Sequence, residues 1–294
     1  MEHVTNSASA SRIVFIDVDG TILEHGSVIA PSTVAAIRSA RAAGHRVYLC
    51  TGRAAADIHP DVRAIDVDGA ITNGGAYARD GAEVVLSRPM PRDATERLIA
   101  YFEQHGLHYF LQSHDAVYAS EGIAAFAEEF LRRRRAQREA DLRKLGTIDD
   151  LSTEVLTAAY LPVADADLDV IAKAVFLSPA SDSLDRAQAD LGGQFLVIPG
   201  SMPMPGGSNG EISMHGTDKG TGILAMLEHL GADAADTIGI GDSWNDREMF
   251  DVVGTSVAMG QADPALRERA DLVTTAVLDD GVWNAFVRLG LIER

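Results

Sequence analysis

A single cysteine, Cys50, stands in 294 residues, so no internal disulfide can form and the expected setting is a reducing compartment. Cys50 closes an apolar run that starts at Val47, and Arg53 follows it too soon for the longer phosphate-cradling loop of a cysteine phosphatase. Core packing is its expected role. The chain lacks any run of about 18 apolar residues, which removes a membrane-spanning helix. Residues 1–11 lack the apolar stretch of a signal peptide, and the expected location is cytoplasmic. Basic residues are scarce: 25 Lys and Arg face 43 Asp and Glu, a net charge of −18. That balance argues against nucleic acid or an anionic membrane as a partner, and an anionic ligand would need a local exception.

One heptapeptide frame, Ile-Asp-Val-Asp-Gly-X-Ile, occurs twice, at Ile16 to Ile22 and at Ile65 to Ile71. The first copy closes the apolar run Ile13-Val14-Phe15-Ile16, so Asp17 and Asp19 fall where a buried strand ends. The second precedes its apolar run, Ala70-Ile71-Thr72. Ligands of parallel α/β sheets bind outside the carboxyl ends of the strands, so Asp66 and Asp68 are expected on the opposite edge. Thr21 adds a hydroxyl to the first copy, where the second has Ala70. A calcium loop starting at Asp17 fails, because Ile22 occupies its glycine position and Val28 its bidentate glutamate position.

Alternation of strand-like and helix-like segments predicts strands over 13–17, 46–51 and 70–73 with a helix over 32–43. It resumes with a helix over 218–230, strands at 237–241, 256–259 and 272–273, and helices over 245–252, 263–269 and 281–289. These belong to one α/β sheet. The intervening stretch lies between Pro89-Met90-Pro91 and Pro203-Met204-Pro205-Gly206-Gly207, which read as paired hinges. Inside it the pattern predicts helices over 93–105, 122–136 and 166–176, and strands near 107–112, 115–119, 155–161 and 194–198. The expected division is a discontinuous core, residues 1–85 and 209–294, and an α+β lid over residues 86–208.

Four short segments fall at strand ends or helix starts of the core: Asp17-Val18-Asp19-Gly20-Thr21, Thr51-Gly52-Arg53, Asp218-Lys219-Gly220 and Gly241-Asp242-Ser243-Trp244-Asn245-Asp246. Each alone is weak, since such patterns recur as surface turns. Together they make a dense acidic patch whose repulsion calls for a cation. Oxygen-only ligands point to a hard ion such as Mg²⁺. Thr51, the amides of Gly52 and Arg53, and Lys219 at a helix start offer donors to a phosphoryl group. Asn73 and Arg53, at strand ends on that edge, are candidates for substrate contact.

In this order the segments resemble those of the haloacid dehalogenase superfamily. Thr51-Gly52-Arg53, Asn73-Gly74-Gly75, Lys219-Gly220 and Gly241-Asp242-Ser243-X-Asn245-Asp246 resemble its Cof-type phosphatases. The tail, from Ser256 to Val282, is similar as well, with Gln261 where the family usually has Asn and Gly75 where it often has Ala. The resemblance implies a Rossmann-like parallel-sheet core with an α+β cap inserted after the third strand, the C2 type of subclass IIB. It implies an Mg²⁺-dependent phosphatase of small phosphorylated metabolites, such as sugar phosphates or phosphorylated cofactors. Asp17 would be the nucleophile and Asp19 the general acid and base; Thr51 and Lys219 would bind the phosphoryl group. The Asp17 carboxylate, the Asp19 carbonyl and Asp242 would hold Mg²⁺, with Asn245 and Asp246 shaping its surroundings. Gly52, Arg53 and Asn73 would contact substrate. The alternatives are a phosphomutase resembling phosphomannomutases and a non-catalytic sugar-phosphate-binding regulator; no nucleophile or metal ligand is missing, which disfavours the latter.

Arg132-Arg133-Arg134-Arg135 is the most basic run of the acidic chain. Successive helical positions point about 100° apart, so all four cannot face one ligand, and a solvated face is expected. His105, His108 and His114 lack the spacing of a metal set, His215 lies near Lys219 in sequence, and Trp244 is either packing or a wall facing the lid. Oligomeric state leaves no signal in the sequence.

Overall fold

The computed structural model describes residues 11–145, 160–200 and 206–294. Ile13–Ile16 is buried at every position and pairs in parallel with Thr237–Gly241 on one side and Arg46–Cys50 on the other. A strand covered on both faces has no polar side to show, which is why it reads as an unbroken apolar run. The full sheet has eight strands, ordered Leu272–Val273, Thr255–Ala258, Thr237–Gly241, Ile13–Ile16, Arg46–Cys50, Gly69–Thr72, Tyr77–Asp80 and Glu83–Ser87. The first six run parallel, and the last two add an antiparallel edge. Strand order reverses between Ile13–Ile16 and Thr237–Gly241. Such a switch point opens a crevice at the carboxyl edge.

Helices cover both faces around a core that includes Phe15, Ile37, Tyr48, Met226, Met249 and Phe286. The helix Lys219–Leu230 is bounded sharply. Asp218 accepts from the Thr221 amide at 2.8 Å while Thr221 Oγ1 accepts from the Asp218 amide at 3.1 Å. This reciprocal cap satisfies donors that the first turn leaves open, and Gly231, left-handed at φ 61°, ends the helix.

A second, six-stranded sheet is ordered Leu161–Pro162, Val117–Ala119, His108–Gln112, Lys173–Ser178, Ser208–Met214 and Phe195–Pro199. One face packs against the helices Arg92–Gln104 and Ser183–Leu191 through Leu98, Phe102, Phe176, Leu191 and Ile212. The other face brings Phe110, Val117 and Leu177 against Ala54, beside the Thr51–Arg53 turn of the large sheet.

Several expectations inside this unit change. The helix expected over 166–176 is replaced by the short turns Val163–Asp165 and Leu168–Val170 and the strand Lys173–Ser178. That strand is central and buried on both faces, so its apolar run carries no two-residue alternation and mimics a helix. The helix that begins near 122 runs on to Lys144. Of the strand expected at 155–161, residues 155–159 lie outside the described residues, and Leu161–Pro162 pairs with Tyr118–Ala119. Residues 203–205 of the second expected hinge also lie outside the described residues. Phe195–Pro199 and Ser208–Met214 pair antiparallel. Ser208–Met214 belongs to the six-stranded sheet, so the boundary expected at 208/209 falls at its start and the chain returns to the large sheet only after Met214. At the first crossing, Met90 is buried and its amide donates to Ile171 O at 2.6 Å.

Asp66 and Asp68 lie on the edge away from the crevice. Asp68 accepts from the Val47 amide at 2.7 Å, at the start of a strand, and from Arg41 Nε and Nη2 at 3.1 and 2.9 Å. Arg41 also pairs with Asp66. Asp68→Asn is therefore expected to lower stability by about 1–3 kcal/mol through weakened charged hydrogen bonds, with kcat unchanged. Urea titration and turnover of the same variant check both parts.

Candidate active site

Each strand end at the crevice delivers one functional side chain. The Asp17 amide donates to Ile240 O at 2.9 Å, continuing the ladder one residue past Ile16. The chain then turns at Gly20, whose φ is 80° and where an added Cβ would lie 2.0 Å from Asp242 Oδ2. Only glycine fits, and this close approach holds the Asp17 and Asp242 turns against each other. Gln261 Nε2 donates to Gly20 O at 2.5 Å, which ties the turn. Thr51 donates its amide to Ile71 O at 2.9 Å, and its carbonyl accepts from Gly74 at 3.0 Å.

Lys219, the first residue of its helix, is buried with Nζ 2.6 Å from Asp17 Oδ1 and 2.5 Å from Asp246 Oδ1. Asp246 Oδ2 accepts from the amides of Asp242 and Ser243 at 3.0 and 3.2 Å. Asp246 thus uses both oxygens to fix its neighbours. Asn245 Oδ1 accepts from Ser243 Oγ at 2.8 Å and lies 3.5 Å from Lys219 Nζ.

Asp17, Asp242 and Asp246 bring carboxylate oxygens within 4.8 Å of one another, and within this trio's surroundings Lys219 supplies the ammonium. Burial pushes the Asp17 carboxyl up to about 7; Lys219 opposes the shift and Asp246 adds to it. Burial, then Asp17 and Asp246, push Asp242 up to about 9. Burial disfavours the Lys219 charge, yet Asp17 and Asp246 hold its pKa well above the ordinary lysine value. Asp242 Oδ1 is buried without a hydrogen-bond partner among the described residues. A buried acceptor without a donor is costly, and a cation beside Asp17 and Asp242 removes that cost. All-oxygen donors fit a hard divalent ion.

The remaining expected residues divide into two groups. Thr51 is buried at the crevice and its Oγ1 accepts from the Arg53 amide at 3.1 Å, which occupies an amide expected to serve a ligand. Arg53 makes a two-pronged contact with Asp19, Nε to Oδ2 at 2.6 Å and Nη2 to Oδ1 at 2.7 Å, and donates Nη1 to Asp57 O at 2.9 Å. Its guanidinium therefore sits against Asp19. Asn73 is fully buried, left-handed at φ 53°, and donates Nδ2 to Ser113 O of the six-stranded unit at 3.0 Å. This bond links the edge of the large sheet to the six-stranded unit.

Two residues absent from the sequence reading reach the same crevice. Lys173 Nζ donates to Gly52 O at 2.8 Å and pairs with Glu211. Gly75, at φ 104°, has Asp218 O where a Cβ would sit, only 1.9 Å away, which accounts for glycine where alanine is frequent. The three lid histidines stay apart, each against a different ring: His105 on Tyr101, His108 on Phe126 and His114 on Tyr77. His215 Nε2 lies 2.8 Å from Gly192 O. Trp244 is 40% exposed, with the Arg247 guanidinium 5.3 Å from its ring centre. Arg132 is exposed; the side chains of Arg133, Arg134 and Arg135 lie outside the described residues. No described helix is long and apolar enough to cross a membrane.

Known proteins resemble the chain over most of its length. The family model of haloacid dehalogenase-like hydrolases matches residues 14–286. The putative phosphatase YkrA of Bacillus subtilis is 29% identical over 285 residues, covering 96% of this chain and 99% of that protein. The pyridoxal phosphate phosphatase YbhA of Escherichia coli is 26% identical over 269 residues, covering 90% and 93%. Among solved structures, the subclass IIB sugar phosphatase BT4131 superposes with a TM-score of 0.76 at 22% identity, over 96% of this chain and 100% of that one. The chain belongs to the haloacid dehalogenase-like hydrolases, as a phosphoric monoester hydrolase of their Cof-type phosphatase branch.

Proposed function

We propose that the chain is an Mg²⁺-dependent phosphatase that hydrolyses monoesters of small metabolites, sugar phosphates or phosphorylated cofactors, through an aspartyl-phosphate. The observation that carries this reading is the buried Asp17–Lys219–Asp246 chain beside the unpartnered Asp242 Oδ1. Asp17, the Asp19 carbonyl and Asp242 would hold Mg²⁺, which when bound neutralises charge on the transferring phosphoryl group. Asp246 has both oxygens committed and, with Asn245, orients this set.

In the first half-reaction an Asp17 carboxylate oxygen attacks phosphorus, the bond from phosphorus to the ester oxygen breaks, and Asp19 gives that oxygen its proton. Lys219 holds Asp17 in place and, with Thr51 and Gly52, receives the phosphoryl oxygens. In the second, water attacks the same phosphorus, Asp19 takes its proton, and phosphate leaves with Asp17 regenerated. The Arg53 contact aims Asp19 while the alcohol is absent, and opening of that contact frees the carboxyl for proton transfer. The six-stranded unit acts as a cap that shuts water from the crevice.

The test is phosphate release from a panel of phosphate esters by chelator-treated protein, with and without added metal. Activity is expected to vanish with chelator and return with Mg²⁺, while Ca²⁺, whose coordination is larger and looser, restores little. Full turnover in excess chelator contradicts the reading. Dependence on a sugar bisphosphate, with transfer and no net release, would favour the phosphomutase.

A further inference from the structure

Lys173 lies on the central strand of the six-stranded sheet. Gln112 is its register partner on one side, and Glu211 is the partner of Val175, two residues along, on the other. Residues two apart on a strand share a face, as do cross-strand partners, so Gln112, Lys173 and Glu211 form one polar patch. Phe110, Val175 and Leu177 continue the same face and pack against Ala54, which turns the patch toward the Thr51–Arg53 loop. The patch is desolvated: Gln112, Lys173 and Glu211 are 8%, 4% and 9% exposed. An added Cβ on Gly52 would lie 3.0 Å from Lys173 Nζ, 3.5 Å from Glu211 Oε2 and 3.9 Å from Asn245 Nδ2. The patch therefore roofs the phosphoryl site itself. Gln112 Oε1 is buried with no hydrogen-bond partner among the described residues.

An ester whose phosphoryl group sits on the Gly52 loop must put its alcohol beneath this roof. The roof offers a carboxylate and an unpartnered amide oxygen as acceptors, and its only ammonium is already paired with the carboxylate. Such a set suits hydroxyl donors. A second phosphate or carboxylate there would meet Glu211 at close range in a dry site, where like charges repel strongly. Building on the phosphatase reading above, we propose that Gln112, Lys173 and Glu211 select the alcohol. The Lys173–Glu211 pair confines the enzyme to esters whose alcohol carries hydroxyls and no second anionic group. Glu211 and Gln112 accept from the hydroxyls, and Lys173, held between Glu211 and Gly52 O, donates to them. A purely structural strap between the sheets would instead affect every substrate alike.

The experiment measures kcat/KM with Mg²⁺ for acetyl phosphate, pyridoxal phosphate, and matched mono- and bisphosphates of fructose, glucose and ribulose. For the wild-type chain, at least one sugar monophosphate is expected to exceed its bisphosphate by about tenfold or more. Glu211→Gln frees the Lys173 charge and should raise the bisphosphate-to-monophosphate ratio about tenfold, whereas Lys173→Gln leaves Glu211 unopposed and should lower it. Because ratios are read, a general loss of activity cancels. Equal losses on all esters from both variants, or a wild-type chain in which no monophosphate exceeds its bisphosphate, overturns the inference. So does pyridoxal phosphate outranking every sugar ester. The wild-type ranking decides even where a variant fails to fold. No release from any compound, acetyl phosphate included, would defeat the phosphatase reading itself.

Discussion

Asp17→Asn is expected to abolish phosphate release, lowering kcat by at least about 10⁴-fold, the scale on which enzymes lose turnover when a nucleophile is removed. The amide keeps the shape of the side chain but cannot attack phosphorus. The backbone position survives, because the Asp17 amide still donates to Ile240 O and the Gly20 turn still locks onto Asp242. Circular dichroism should therefore match the wild type while activity is absent. The contrast with Asp68→Asn is the informative part. Both residues belong to the same Ile-Asp-Val-Asp-Gly frame, yet one stands at the carboxyl edge of the sheet and the other braces Arg41 and Val47 at the opposite edge. Comparable kcat losses in the two variants would contradict this placement.

Lys219→Met has the second largest expected effect, and it acts on two quantities at once. Lys219 is 2% exposed and bonds both Asp17 and Asp246, so its removal strands two buried carboxylates near a third. Breaking a buried pair by deleting one partner costs about 3–5 kcal/mol, and the metal-free variant should lose stability on that scale. Losing a charged donor to the phosphoryl group lowers kcat by about 10²–10³-fold. Mg²⁺ should recover part of the lost stability, because a cation supplies charge that the variant lacks. Thermal melts with and without Mg²⁺, beside kcat for several esters, measure both. A variant as stable as the wild type without metal would show that the carboxylates do not need Lys219.

Why the core was legible from residues, and the cap was not, follows from the chemistry of each. The strand before Asp17 is covered on both faces and ends in a carboxylate pair; apolar run and polar stop are written side by side in the sequence. The same holds for Thr237–Gly241 before Asp242, and the Lys219 helix carries its own Asp218 cap and Gly231 stop. In the six-stranded sheet the functional patch is assembled by register. Gln112, Lys173 and Glu211 are far apart in the chain and meet only because their strands are neighbours in this order. The helix expected over 166–176 overlaps the first four residues of the strand Lys173–Ser178, and only as a strand does Lys173 face the crevice. Asn73 shows a finer limit: its strand-end position was readable, but its left-handed backbone turns the amide toward Ser113.

In the proposed route the phosphoryl group passes through an acyl-phosphate on Asp17. The direct measurement is a rapid quench of Mg²⁺-supplemented protein during turnover, followed by borohydride reduction and peptide mass mapping. An acyl-phosphate at Asp17 is reduced to homoserine, so the account predicts homoserine at position 17, dependent on both substrate and Mg²⁺ and absent from Asp17→Asn. Homoserine at another aspartate, or none anywhere while an intermediate-accumulating substrate is being hydrolysed, would contradict it.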